Sequence, residues 1–510
     1  MSPCLLHGDI FSNCNKMHTK YFLAKTKFLF DFACGACYND LWSYQYYRKE
    51  ALTMQNSASR QDLLFQFHGT PPIGTSLSLA LQHLVAMIVG CVTPPIIIAG
   101  AIGLSQADRV LLIQASLVMS AVSTLLQLFP IGKRFGSGLP VILGVSFAYV
   151  PSMQAIASSG GGVSAIAGAM LVGGVVAVIV GLFVKKIRLL FPPVITGTVV
   201  FTIGLSLYPT AINYMAGGTA NTYESVVEAR GLTEALVYGS WQNWLVAALT
   251  LTAVMVLNHY GKGICKLASI LLGMLFGYVV ALLFGMVSFA DVGTAAWFSL
   301  PRFMHFGVTF DAASCVAIGL LFAINSIQAI GDFTATTVGG LDRDPTDREL
   351  QGGIIAYGVS NILAALFGGL PTATYSQNVG IVTTNKVVNR TVFTFAGCFL
   401  LLAGVSPKFA ALLTTIPQCV LGGATVTVFS TIAMTGMKLI ASQDLTARNT
   451  TIVGLSAALG VGISQASSAL SQFPAAVTMI FGKSPVVIAT IMAVLLNLIL
   501  PKENKKQKSK

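Results

Sequence analysis

The sequence predicts an all-α polytopic membrane protein: fourteen transmembrane segments in a seven-plus-seven inverted repeat, with short extended strands in segments 3 and 10. Three observations carry this. Of 510 residues, 54% are hydrophobic and only 9% charged, with a mean hydropathy of +0.76, a composition no soluble domain carries. Apolar stretches of roughly spanning length, about 17 to 25 residues, recur near 76–103, 109–129, 141–158, 162–184, 190–208, 242–258, 264–286, 313–337, 350–368, 372–389, 391–406, 420–440, 449–465 and 484–500. Finally, two motifs return at an offset of seven segments. Gly138-Leu139-Pro140 opens the third segment and Gly369-Leu370-Pro371 the tenth, while FPPVITG (Phe191 to Gly197) opens the fifth and IPQCVLGG (Ile416 to Gly423) the twelfth. An odd number of spans per copy inserts the second copy upside down relative to the first.

Along the chain, residues 1–53 mix charge, aromatics and the pair Cys34-Gly-Ala-Cys37, and their apolar run from Phe28 to Cys37 is too short to span a bilayer. With no second ligand pair the CxxC does not make a metal site, and no small-residue cleavage site marks a signal peptide. We read 1–53 as an N-terminal extension, 54–75 as a polar cytoplasmic tail, 76–286 as the first repeat, 287–500 as the second, and 501–510 as a basic cytoplasmic tail. Four of the nine cysteines (Cys4, Cys14, Cys34, Cys37) lie in the N-terminal region. The others sit in or beside apolar spans as small hydrophobes, so no disulfide framework is expected.

The net charge of +12 comes largely from basic residues in short loops and at the ends, a pattern of membrane orientation and not of nucleic-acid binding. Lys133, Arg134, Lys185, Lys186, Arg188, Lys262, Lys266, Arg343, Arg348, Lys386, Arg390, Lys438, Arg448 and the tail lysines fall on one side. Arg109, Arg230, Arg302, Lys408 and Lys483, with Glu224, Glu228 and Glu234, fall on the other. Both termini are therefore expected in the cytoplasm, with Trp241, Trp244 and Trp297 at the outer boundary.

Polar residues inside apolar spans mark the candidate site. Gln377 and Asn378 follow Pro371 and a Thr372–Tyr375 run that favours extended backbone, so the tenth segment reads as a strand leading into a half-helix. Buried amides either line a site or bridge helices. Under the inverted repeat, Gly144-Val145-Ser146-Phe147-Ala148-Tyr149 faces Ser376-Gln377-Asn378, with Phe147 or Tyr149 as an aromatic face. Asp332 is the one carboxylate well inside an apolar span, and Gln328 precedes it by one helical turn on the same face. The carboxylate is either a proton-coupling group or a structural hydrogen-bond acceptor. Gln82-His83 is the remaining polar pair, with His83 equally a packing group or a site residue.

At these residues the chain resembles the nucleobase-ascorbate transporter family. The family's signature reads here Gln377-Asn378-Val379-Gly380, then Ile381 to Thr384, then Asn385-Lys386. The resemblance extends through Gln82-His83, GVSFAY at 144–149, IQAIGDFTAT at 327–336, GGIIAYG at 352–358 and IPQCVLGGAT at 416–425, covering roughly 70–500 and looking most like bacterial purine permeases. It implies a core and a gate domain, commonly a homodimer in the cell (inner) membrane, and import of a purine nucleobase such as xanthine or urate by proton symport, with no cofactor. It also implies roles: Gln377 hydrogen-bonds the base, Asn378 supports it, Phe147 lies in the strand that packs on it, His83 influences affinity and Asp332 couples the proton. Three positions depart from the pattern. Gln328 stands where the family usually has a substrate-binding Glu, Asn385 where the signature has Thr, and Tyr357 where many members have Asp or Asn.

A uracil or other nucleobase permease and an anion transporter of the same inverted-repeat fold are the alternatives within transport. Sulfate-type members of the latter often carry a large C-terminal domain, whereas PKENKKQKSK follows the last segment here. An intramembrane enzyme is disfavoured: Asp332 has no intramembrane carboxylate partner, and no HExxH or GxSxG occurs in a suitable context.

Overall fold

The computed structural model describes residues 62–501 except 133–134, 185–191, 219–236, 475–477, 479–480 and 482–483. The extension 1–53 with its cysteine pair, residues 54–61 of the 54–75 tail, the acidic loop around Glu224 to Glu234, Lys133, Arg134, Lys185, Lys186, Arg188, Lys483 and the terminal lysines lie outside the described residues. The chain from Leu63 onward is one compact unit and mostly helical: α1 (Ile73–Ile102), α2 (Gln106–Leu128), β1 (Leu143–Val145), α3 (Val150–Ser158), α4 (Val163–Leu182), α5 (Pro193–Met215), α6 (Trp241–Tyr260), α7 (Ser269–Leu283), α8 (Ala312–Gly340), α9 (Asp347–Leu366), β2 (Thr372–Thr374), α10 (Ser376–Asn385), α11 (Arg390–Gly404), α12 (Pro407–Thr414), α13 (Gln418–Ala441), α14 (Ala447–Gln465) and α15 (Pro485–Ile499).

Among the described residues six of these helices (α1, α2, α4, α5, α8 and α13) are long and apolar enough to cross a membrane, or seven units if α11 and α12 count as one span bent by 77°. The bend explains why the eleventh apolar stretch is short. Ser406 caps a new helix and Pro407 takes its first turn, where a missing N–H costs nothing. Several other helix starts are fixed by side-chain caps, Ser105 on α2, Asp311 on α8 and a Thr346–Glu349 capping box on α9 among them.

Contacts between helix ends define the two faces of the bundle. Lys386 pairs with Asp342 at 2.8 Å, and Asn389 donates to the carbonyls of Leu63 and Gln66 at 2.8 and 3.0 Å, so the ends of α8 and α10 and the start of α1 lie together. At the opposite end His305 meets Asp108 at 2.9 Å, Gln106 donates to Thr414 at 2.7 Å, and Lys408 sits 4.0 Å over the exposed Trp297 ring. Helices α5 and α13 pack closely along their length. A Cβ on Gly197 would stand 2.9 Å from the Gly436 carbonyl oxygen, so only a hydrogen there lets the two backbones meet.

Candidate functional site

Two broken elements meet at the centre of the bundle. Pro140 and Pro371 remove backbone donors and the β-branched residues after them favour extension, which yields β1 and β2. They pair antiparallel, Leu143 with Thr374, Gly144 with Ala373 and Val145 with Thr372. Two further backbone bonds, Ser146 N–H to Pro371 O and Tyr375 N–H to Ile142 O (both 3.0 Å), lengthen the ladder. In a membrane such backbone survives only if its polar groups are satisfied by protein. Thr124 on α2 both donates to and accepts from the Leu143 backbone at 3.0 Å. Asn361 on α9 accepts from Thr372 N–H at 2.7 Å and donates to its carbonyl at 3.3 Å.

The pairing sits slightly upstream of the expected Gly144–Tyr149 and Ser376–Asn378 stretches. Ser146 accepts from Ala148 N–H at 3.2 Å and starts a tight turn over Phe147–Tyr149, and Pro151 takes the first turn of α3. Likewise Ser376 to Asn385 is already helical. The extended part therefore positions the next residues, which are the polar and aromatic ones.

Those residues surround a cavity of 420 Å³, within the range of small-molecule sites. Phe147, Ala148, Gln328, Ser376 and Gln377 all line it. Gln377 is exposed to it and Gln328 is half-buried, and neither side chain has a hydrogen-bond partner among the described residues. Phe147 packs edge-on against Phe429 of α13, with ring centroids 5.1 Å apart at 79°. Two free amides and an aromatic edge thus converge on one space, able to offer donors and acceptors to a planar polar ligand.

Four expected site residues lie behind the wall. Asp332 is 7% exposed and accepts hydrogen bonds from two hydroxyls of the second broken element, Ser376 at 2.8 Å and Thr374. Asn378 donates to the His83 ring and carbonyl at 3.1 and 3.0 Å, tying α10 to α1. His83 in turn packs on Phe393, with centroids 4.8 Å apart. Tyr149 is fully buried, bonded to the Tyr357 hydroxyl and packed on Phe322. Tyr375 anchors the centre by donating to the Val145 carbonyl at 2.6 Å, and Gly90 and Gly144 leave room for its ring, since a Cβ on either would fall 2.6 to 2.7 Å from it. Sequence reasoning missed Thr124, Asn361 and Tyr375, although the first two are polar residues inside apolar segments. No cluster of three His, Cys, Asp or Glu able to hold a metal occurs among the described residues.

A family model described as "Permease family" matches residues 74–468, which takes in both broken elements and every residue of the cavity. The chain belongs to the nucleobase-ascorbate transporter family. It is a multi-pass membrane permease and not an enzyme. It is 34% identical to a putative purine permease of Clostridium perfringens over 426 residues, 82% of this chain and 89% of the relative. To the uric acid permease PucJ of Bacillus subtilis it is 34% identical over 433 residues (84% and 93%), and to the xanthine permease XanQ of Escherichia coli 30% over 453 residues (86% and 94%). Solved structures share the fold at low identity. The murine Solute Carrier 26 family member A9 anion transporter in its inward-facing state superposes with a TM-score of 0.53 at 10% identity, covering 86% of this chain and 70% of that one. The transmembrane domain of the cyanobacterium bicarbonate transporter BicA gives 0.50 at 14% identity, covering 83% and 97%.

Proposed function

We propose that this permease is a secondary active transporter that imports a purine nucleobase, xanthine or urate, by proton symport. The observation that carries the reading is the convergence of Gln377, Gln328 and Phe147 on one cavity, with Asp332 one hydrogen bond behind it through Ser376. The two amides read the edge of the base and Phe147 packs on its face. Asn378 holds Gln377's helix to His83, and Tyr149 braces the first half-helix. Asp332 carries the proton: when ionised it accepts from Thr374 and Ser376, and on protonation its O–H turns one of these bonds round and both lose their charge assistance, which loosens without breaking the hold on the element that bears Gln377.

The same reading gives the architecture. Fourteen segments in two inverted halves, 76–286 and 287–500, are supported by the repeated Gly-Leu-Pro elements pairing with each other as β1 and β2 and by the motif-matched α5 and α13 packing together. The described basic residues gather at the end where α1 begins and α13 finishes, a bias that supports a cytoplasmic side there, with both termini in the cytoplasm and the protein in the inner membrane. The cavity reaches Lys438 at that end. The working unit is a homodimer in the bilayer.

The test is uptake of labelled xanthine by a host deleted for its own purine transporters, competed by xanthine, urate, hypoxanthine, uracil and bicarbonate. Saturable uptake competed by oxidised purines and abolished by an uncoupler is expected. Competition by uracil alone, or by bicarbonate in place of any base, would replace the purine reading with one of its rivals.

A further inference from the structure

Among the described residues one charged side chain lines the cavity. Lys438 lies on α13, one turn before the helix ends, and its side chain forms part of the wall. Every other lining residue is uncharged, and no acid pairs with Lys438 among the described residues. Thr431, Thr435 and Lys438 are spaced four and three residues apart, so they form one stripe up a single helix face. Both threonine hydroxyls donate to their own helix, Thr431 to Thr427 O and Thr435 to Thr431 O at 2.8 Å each, and add no charge to the wall. The stripe begins beside Val428 and Phe429, level with Phe147, and ends at the cation. At about 1.5 Å per residue, Lys438 stands roughly 10 Å from the base level at Thr431.

A basic residue in the last turn of a helix also complements the helix dipole, and one at a membrane boundary often extends towards water. Neither role accounts for a cation at the mouth of a cavity whose other described lining residues are neutral and whose inner end holds two neutral amides. In a cleft with low-dielectric walls a single unpaired charge sets the potential along the whole path. We propose that Lys438 is a specificity-determining residue that favours purine anions over neutral purines at the cytoplasmic mouth of the cavity. The inference rests on the purine reading and deepens it by naming the charge class of the ligand. Gln328 supports it from the other end, because an amide there does not repel an anion as a carboxylate would.

The experiment is binding of labelled hypoxanthine, a neutral base, to purified full-length protein in detergent, competed by urate at a pH where urate is ionised. A unit charge at roughly 10 Å, screened at physiological salt, corresponds to a change of about threefold in the urate-to-hypoxanthine affinity ratio, rising at low salt. Lys438→Gln should lower the relative affinity for urate by that factor, Lys438→Glu should lower it further, and Lys438→Arg should restore it. In the wild type the preference should fade as salt is raised, and in Lys438→Gln it should be insensitive to salt. A purely structural lysine would change neither the ratio nor its salt dependence. An unchanged ratio in both Lys438→Gln and Lys438→Glu, in protein that still binds hypoxanthine, overturns this inference and leaves the purine reading intact. A wild-type protein that binds no purine overturns both.

Discussion

Replacing Asp332 by Asn should separate binding from coupling. The carboxylate accepts from Thr374 and Ser376, and hydrogen bonds to a charged acceptor contribute about 1.5–3 kcal/mol each against about 0.5–1.5 for neutral pairs. The amide of Asp332→Asn can still accept from one hydroxyl and donate to the other, so the second broken element keeps its place and Gln377 its position on the cavity. What disappears is ionisation. A transporter moving one proton per base draws about 2.3 kcal/mol from each 100 mV of membrane potential, enough to concentrate the base roughly 50-fold at about 1.4 kcal/mol per decade. Asp332→Asn should bring the accumulation ratio of labelled xanthine to one in energised cells, while exchange of internal for external xanthine in de-energised vesicles persists. Concentration to the wild-type ratio, still abolished by an uncoupler, would show that the proton travels by another group and would refute the role given to Asp332.

Gln377→Ala removes a donor and an acceptor from the cavity and leaves the ligand's edge unpaired, at about 1–3 kcal/mol. Xanthine affinity should fall at least several-fold with normal membrane expression, and an unchanged inhibition constant would make Gln377 a packing residue. Gln328→Glu returns a carboxylate to the cavity, where repulsion of a ligand anion at about 4 Å amounts to a few kcal/mol at an effective dielectric near 20. Inhibition constants should shift towards xanthine and away from the urate anion, and a shift the other way would sink the charge argument. Asn361→Ala leaves the Thr372 N–H without its 2.7 Å acceptor and weakens the hold on its carbonyl, each unpaired group costing about 1–3 kcal/mol. The thermal midpoint of the purified protein should drop more than for an Ala substitution at exposed Thr384, and equal midpoints would show that the strand is held without the clamp.

The sequence made the helices and the broken elements legible because each is announced locally. Apolar length marks the spans, Gly-Leu-Pro followed by β-branched residues marks the strands, and an amide pair in hydrocarbon marks the site. Gln328, Gln377 and Phe147 were legible for the same reason and do share a cavity. What stayed hidden depends on partners far away in the chain. Asn361 looks like any polar residue in a helix until Thr372 folds against it, and Tyr375 gains its meaning only from the Val145 carbonyl and the space beside Gly90 and Gly144. The placing of Asn378 and His83 behind the wall, bonded to each other, follows from the rotation of α10, which periodicity over ten residues with a break before them does not determine. Lys438 read as a loop charge because it lies at a helix end, and only the packing of α13 turns it into the cavity.

The central claim is that this permease couples a purine to a proton, and purified protein in proteoliposomes tests it without interference from other transporters. With an imposed pH gradient, acid outside, labelled xanthine should rise inside the vesicles above its external concentration and fall back when a protonophore is added. Xanthine that only equilibrates, at a rate and to a level indifferent to the gradient, would contradict the account.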